Sequence, residues 1–282
     1  MINGLSIDVE DWFQGFNEIA PPTWHLYEHR LAASLERTLQ LLDDHSLKAT
    51  FFVLGHNAEH YPHLVRRIHA AGHELGTHGY SHTLVYNQAP CQFREELRRS
   101  ICVVEDACGE KVLGHRAAFF SITPRSKWAL DVLIELGLQY DSSIFPVRRR
   151  RYGWPGGPHR FCRIVRPGGS LIEFPLPTWN FGLLRLPVGG GAYQRILPER
   201  YIFAGLRRLN RAGQPFVAYL HPWELDPEQP RGITSGRAAW LHYANLSGST
   251  RRFARLLARF NFAPLRDLTA QMGPTLPDVV IK

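Results

Sequence analysis

This chain has no apolar run long enough to cross a bilayer, and Met1 is not followed by a basic segment leading into an apolar one. The sequence is therefore expected to stay in the cytoplasm, and its charge is compatible with a peripheral position at the inner membrane face. Cysteine is scarce: Cys91, Cys102, Cys108 and Cys162 form neither a Cys-x-x-Cys pair nor a disulfide rhythm, so reduced structural thiols are expected. Low-complexity blocks are absent, which excludes a disordered interaction tail. Zinc-finger, helix-turn-helix and aromatic ribonucleoprotein signatures are also missing, and the basic residues are dispersed, which argues against nucleic acid as a partner. The formal charge of +8 instead suits an acidic polymer, a phospholipid surface or a phosphorylated lipid carrier.

What is present describes a well-packed globular protein. The 282 residues are 44% hydrophobic and 12% aromatic, enough for one large α/β barrel or two smaller domains. Ile2 to Val9 reads as a buried strand, Leu31, Leu35, Leu39 and Leu42 recur at helical spacing, and Lys48 to Gly55 reads as a second strand. Helices over Pro62–Ala71 and Cys91–Ala107 follow, the second with Gly109 placed for a left-handed cap. Strand and helix continue to alternate through Ser142, resume at a helix over Pro198–Ala212 and a strand over Pro215–Leu220, and imply parallel strands with right-handed crossovers. Between Phe145 and Gln194 the alternation breaks, and 145–194 reads as a loop-rich elaboration over the barrel mouth.

Polar clusters fall where these strands end. Asp8-Val9-Glu10-Asp11 closes the first strand, and three acidic groups there are costly unless wet, paired or metal-bound. Period-two alternation puts Asp8 and Glu10 on one side and turns Asp11 away. His78 and His82 follow the third strand; a helical turn after Thr77 would put both imidazoles on one face, where they could share a divalent metal. Arg116, Asp141 and His221 close later strands, and chemistry in parallel α/β folds gathers at such ends.

With these residues in place, the sequence resembles the polysaccharide deacetylase family, the NodB-like carbohydrate esterases that remove acetyl groups from sugars. The resemblance rests on Asp8-Val9-Glu10, His78-Gly79-Tyr80-Ser81-His82, Arg116, Tyr140-Asp141-Ser142 and Leu220-His221, in the family's order. Ser6 to Phe13, Arg151-Tyr152-Gly153, His221 to Pro227 and His242-Tyr243 are similar to a subgroup found with exosortase-linked exopolysaccharide clusters. Three positions depart from the family pattern. Asp-x-Glu-Asp replaces adjacent aspartates, leaving Glu10 and Asp11 as alternative carboxylate ligands. Gly79 stands where Ser or Thr is usual, and Arg116-Ala117-Ala118 lacks a stiffening proline.

The resemblance implies a single domain over 1–282, a distorted, incomplete (β/α) barrel of about seven parallel strands, with the mouth insertion at 145–194 and a helical C-terminal extension at 223–282. It implies one divalent metal ion, zinc first with cobalt or nickel as substitutes, held by Glu10, His78 and His82. Asp8 would be the general base, Arg116 its charge partner, and His221 the general acid with Asp141 as its partner. Tyr140 and Trp223 would meet the substrate, an N-acetylated polysaccharide or lipid-linked oligosaccharide, with a backbone N–H near Tyr140 facing the carbonyl oxygen. Two other functions share these residues: hydrolysis of a non-sugar amide or O-acetyl ester, and non-catalytic sugar binding in an assembly protein. Retention of the whole set Asp8, Glu10, His78, His82 and His221 weighs against a decayed site.

Overall fold

The computed structural model of the chain describes residues 1–16, 19, 21–181 and 184–281. In chain order the first half comprises β1 (Ile2–Val9), α1 (Leu31–Asp44), β2 (Thr50–Val53), α2 (Gly55–His60), α3 (Pro62–Ala70), β3 (Glu74–Thr77), α4 (Pro90–Cys108), β4 (Gly114–His115), α5 (Ala129–Glu135) and β5 (Tyr140–Asp141). It continues with β6 (Cys162–Arg166), β7 (Gly169–Glu173), β8 (Thr178–Phe181), β9 (Leu184–Pro187), α6 (Gly191–Ile196), α7 (Glu199–Arg211) and β10 (Val217–Leu220). The last elements are α8 (Gly236–Tyr243), α9 (Leu246–Leu257), β11 (Asn261–Ala263), α10 (Leu265–Met272) and β12 (Asp278–Val280).

The main sheet runs β10-β1-β2-β3-β4-β5-β7-β6-β12, and β10 through β7 along that path are mutually parallel. This is the expected open barrel of seven parallel strands. β6 joins it antiparallel to β7, and β12 then pairs with β6. One expectation is corrected here. The stretch 145–194 is not wholly an elaboration over the mouth, because β7 inside it is a barrel strand lying directly beside β5. Its apolar run is short and follows Gly168-Gly169, so it lacks the strand-then-helix rhythm that marked the others.

Parallel strands covered on both faces must be apolar on both. The outward residues of β1, Leu5, Ile7 and Val9, share a core with Leu31, Leu35, Leu39 and Leu42 of α1. Phe93, Leu97 and Val104 of α4 bury their stripe against the same layer, and Gly109 ends that helix at φ 75°. Inside the barrel, Phe52, Tyr140, Phe174 and Val217 pack on Leu265 and Leu268 of α10. The backbone N–H groups of Leu265 and Arg266 at the start of α10 donate to Thr50 Oγ1 (2.7 Å) and Glu74 Oε2 (3.0 Å). The C-terminal helix thus plugs the end of the barrel opposite the strand C-termini, with its first free N–H groups satisfied by side chains of β2 and β3.

Close approach at β4 requires a glycine. A Cβ on Gly114 would lie 2.0 Å from Tyr140 Cζ, and that ring cannot retreat: it is fully buried against Phe174, and its hydroxyl donates to Glu74 Oε1 at 2.7 Å. Gly114→Ala is expected to cost about 3 kcal/mol, at the upper end for overpacking, read as a lower chemical-denaturation midpoint with an unchanged slope. An unchanged midpoint would contradict the rigid Tyr140 described here.

The four cysteines are free; Cys162 is buried, whereas Cys91 and Cys102 are exposed. No helix among the described residues is long and apolar enough to cross a membrane.

Candidate active site

Six of the strand-end side chains meet at one point. Glu10 Oε1 lies 2.9 Å from His78 Nε2 and 2.9 Å from His82 Nε2. Asp8 Oδ1 accepts from Arg116 Nη1 at 2.8 Å, and Asp8 Oδ2 is 3.9 Å from His221 Nε2, which is also 3.9 Å from Glu10 Oε1. Asp8, Glu10, His78, His82 and Arg116 are buried, and His221 alone is partly open.

The loop brings the histidines together by a different route from the expected helical turn. No helix covers residues 78–82. The chain instead turns through left-handed backbone at Gly79 (φ 75°) and again at His82 (φ 55°). That accounts for glycine at position 79, and the loop is steadied elsewhere: Gly79 O accepts from Gly55 N (2.8 Å) and Ser100 Oγ (2.9 Å).

Both imidazoles are oriented from behind. His78 Nδ1 donates to Arg116 O and His82 Nδ1 to Gln14 O, each at 2.8 Å. A carbonyl can only accept, so Nδ1 carries the proton and Nε2 presents a lone pair. Two lone pairs and a carboxylate oxygen then face one another in a buried space, a repulsive set unless a cation lies among them. His82 Nε2 makes no hydrogen bond despite its 2.9 Å separation from Glu10. The donor set is two imidazoles and one carboxylate, with carbonyls holding the outer nitrogens, and it fits a divalent transition metal. Asp8, Glu10 and His221 also cluster, but Asp8 is committed to Arg116 and His221 Nδ1 to Glu224.

Between the alternative carboxylates, the geometry favours Glu10. Asp11 turns away: its Oδ2 accepts from the backbone N–H groups of Arg30 (3.0 Å) and Leu31 (3.2 Å) and its Oδ1 from Trp12 N (2.9 Å). It caps α1 across the loop.

Arg116 is not loosened by the missing proline. Nε donates to Ser142 O (3.0 Å), Nη1 to Ser6 Oγ (2.7 Å) and Asp8, and Nη2 to Ser142 Oγ (2.8 Å), while Phe52 lies beneath the guanidinium at 4.6 Å. On the other side, Phe119 packs 4.3 Å from the His82 ring. Its φ of 53° is strained for a bulky residue, as is the same value at Phe120.

Three expectations are corrected. Asp141 does not partner His221: its Oδ1 is bonded to His115 Nδ1 (2.8 Å) and Ser143 Oγ (2.6 Å). The same cluster holds Glu173, whose carboxyl is pushed well above its usual range by burial and by the charge of Asp141. The register that puts Asp141 beside His115 of β4 and Glu173 of β7 turns it away from the mouth. Tyr140 cannot meet a substrate, since its ring is fully buried among Phe52 and Phe174 inside the barrel, and its backbone N–H is bonded to Leu113 O. It therefore offers no donor to a carbonyl oxygen. Trp223 is buried too, stacked between His221 (5.3 Å) and His242 (4.3 Å), a wall behind the imidazole rather than an open platform.

His221 is instead paired with Glu224, whose Oε2 accepts from His221 N (3.0 Å) and Nδ1 (3.1 Å). Burial opposes a charge on His221, yet Glu10, Glu224 and Asp8 raise its pKa to about 9. Burial likewise opposes the Glu224 charge, but Arg195 and His221 hold its carboxyl at about 2. Glu224 had a sequence signal, the i, i+3 capping spacing after His221. Arg195 had none.

A partly open imidazole thus faces a buried Asp–Arg pair and a His–His–Glu donor set at the C-terminal ends of parallel strands, a donor set that could hold a metal ion. The comparisons with known proteins point to one family. Residues 24–140 match the polysaccharide deacetylase family model, and residues 142–270 match a domain of unknown function, DUF3473. A peptidoglycan deacetylase of Helicobacter pylori is 31% identical over 110 residues, 39% of this chain and 36% of that protein. A chitooligosaccharide deacetylase of Bradyrhizobium sp. (strain ANU 289) is 32% identical over 138 residues, 48% of this chain and 61% of that protein. The chain thus spans between about a third and three fifths of these curated relatives. A Mycobacterium smegmatis structure described as a candidate polysaccharide deacetylase shares the fold, with a TM-score of 0.69 at 19% identity, over 99% of this chain and 93% of that one. Residues 24–140 are thus similar to the polysaccharide deacetylase family.

Proposed function

We propose that this protein is a metal-dependent hydrolase that removes N-acetyl groups from sugar units of a bacterial exopolysaccharide or its lipid-linked precursor. The observation that carries it is the single point at which Glu10 Oε1 meets the Nε2 atoms of His78 and His82 while Asp8 and His221 face it. Curated relatives named as deacetylases of peptidoglycan and chitooligosaccharide support an N-acetylated carbohydrate as substrate. The net charge of +8 favours an acidic polymer or a phosphorylated lipid carrier.

Glu10, His78 and His82 would hold the ion, zinc first and cobalt or nickel as substitutes. When bound, it would supply a Lewis acid that lowers the pKa of water and polarises the acetyl carbonyl. Asp8 receives the water's proton on Oδ2, since Oδ1 is held by Arg116. Arg116 keeps that carboxylate ionised in a buried place where an unpaired charge would be costly. His221 faces Asp8 with Nε2 and gives a proton to the departing amine nitrogen as the C–N bond breaks. The products are acetate and a free amino sugar.

The test is metal analysis of the pure protein together with acetate release from N-acetylglucosamine oligomers and from N-acetylated lipid-linked sugars. One equivalent of bound metal, with acetate release that chelation abolishes and metal restores, is expected. Metal-free protein with full activity would overturn the metal-dependent reading, and acetate release only from O-acetyl esters would replace N-deacetylation by the ester alternative.

A further inference from the structure

We propose, resting on the deacetylase reading above, that Glu224 and Arg195 are positioning residues for His221. The segment running from α6 to the α8–α9 junction, within the region matched by a domain of unknown function, would then serve to lock the general acid in place. The basis is a continuous buried chain of contacts. Glu224 follows His221 by three residues on a 3-10 turn, and its Oε2 is bonded to both the backbone N and the Nδ1 of that histidine. A carboxylate held ionised only accepts, so Nδ1 keeps a proton and Nε2 is the nitrogen turned toward Asp8 and Glu10.

Arg195 completes the arrangement from α6. Its Nε donates to Glu224 Oε1 at 2.6 Å. Nη1 donates to His242 O (2.9 Å) and Ala244 O (2.7 Å), and Nη2 to Leu241 O (3.1 Å). These carbonyls are at and just beyond the C-terminal end of α8, groups without helical partners that a buried guanidinium satisfies while its charge is balanced by Glu224. Asn245, in left-handed backbone (φ 56°), returns a bond from Nδ2 to Arg195 O at 2.9 Å. The His221 ring is also clamped on its face: Trp223 stacks on it, and His242 stacks on the far side of Trp223 with Nε2 bonded to Gln229 Oε1 at 2.8 Å. Among the described residues, the hydrogen bonds and ring contacts that orient His221 from behind thus come from residues 191–245. Asp141, the other acidic candidate, is consumed by His115 and Ser143.

In the step this serves, the C–N bond of the tetrahedral adduct breaks, its electron pair goes to nitrogen, and nitrogen takes the proton of His221 Nε2. Loss of positioning should therefore scale with the need of the leaving group for a proton. In Glu224→Gln, the donor-only Arg195 would retain the amide oxygen and turn the amide NH₂ toward His221 Nδ1, reversing the hydrogen bond that sets the tautomer. Arg195→Lys keeps the charge but cannot reach four acceptors at once.

The experiment compares wild type, Glu224→Gln and Arg195→Lys on an N-acetylglucosamine oligomer and on 4-nitrophenyl acetate, whose phenolate leaves without protonation. Both variants are expected to keep metal content, to lose kcat on the amide by on the order of 10²-fold with little change in KM, and to lose far less on the ester. Equal losses on the two substrates, or none, would overturn the inference while leaving the deacetylase reading intact. If Glu224→Gln does not fold, Arg195→Lys decides alone. A wild type that releases acetate from neither compound nor from lipid-linked N-acetyl sugars overturns the deacetylase reading and this inference with it.

Discussion

Asp8→Asn is expected to abolish practical turnover while the protein keeps its metal, with acetate release falling on the order of 10² to 10⁴-fold, the usual cost of losing a well-placed general base. Asparagine retains an oxygen that can accept from Arg116 Nη1, now 2.8 Å from Asp8 Oδ1, but its amide nitrogen cannot take a proton from water. The substitution also leaves the buried Arg116 charge without its ionic partner. Ser6 Oγ, Ser142 O and Ser142 Oγ still engage the guanidinium, so a lower melting temperature rather than unfolding is expected. Activity should be normalised to folded, metal-loaded protein. Wild-type acetate release from Asp8→Asn would remove the assignment, because among the described residues no other carboxylate combines an Arg-held oxygen with one facing His221 Nε2.

His78→Ala and His82→Ala should each leave a protein that loses its metal on dialysis, against one retained equivalent in the wild type. Glu10→Gln should bind it far more weakly. Each imidazole contributes an Nε2 held 2.9 Å from Glu10 Oε1, and its Nδ1–H is already spent on a carbonyl, so neither ring has a second way to serve. Asp11→Asn is the contrasting variant. That carboxylate caps α1 at Arg30 and Leu31, so the change should cost about 1 kcal/mol of stability and leave metal occupancy unaltered. Unchanged metal in both histidine variants would refute the ligand set. Metal lost in Asp11→Asn and kept in Glu10→Gln would transfer the ligand role to Asp11.

The two kinds of information separate along physical lines. Alternation along β1 was enough to place Asp8 and Glu10 together and to send Asp11 elsewhere, because a strand alternates its side chains whatever surrounds it. The positions of His78, His82, Arg116 and His221 at strand ends were likewise legible, since the strand-and-helix alternation along the chain sets the ends of β3, β4 and β10 just before them. How the histidines converge was not legible. Their four-residue spacing suggested a helical turn, while the fold uses left-handed backbone at Gly79 and His82, a choice set by packing against Gly55 and Ser100 on other elements.

The partner of His221 shows the limit most plainly. Asp141 was the acidic residue at the right kind of strand end, but strand register decides which way a short β5 points it. With β4 on one side and β7 on the other, it faces His115 and sits in a buried cluster with Glu173. Glu224 takes the place beside His221 only because Arg195, 29 residues earlier in the chain, arrives on α6 to balance its charge. The amino-acid sequence alone determined the parallel α/β order, the acidic end of β1, and the residue types able to hold a metal and move protons. The tertiary structure decided which carboxylate faces which nitrogen, because such pairings depend on register and on buried charge compensation between segments far apart in the chain, and no local spacing encodes them.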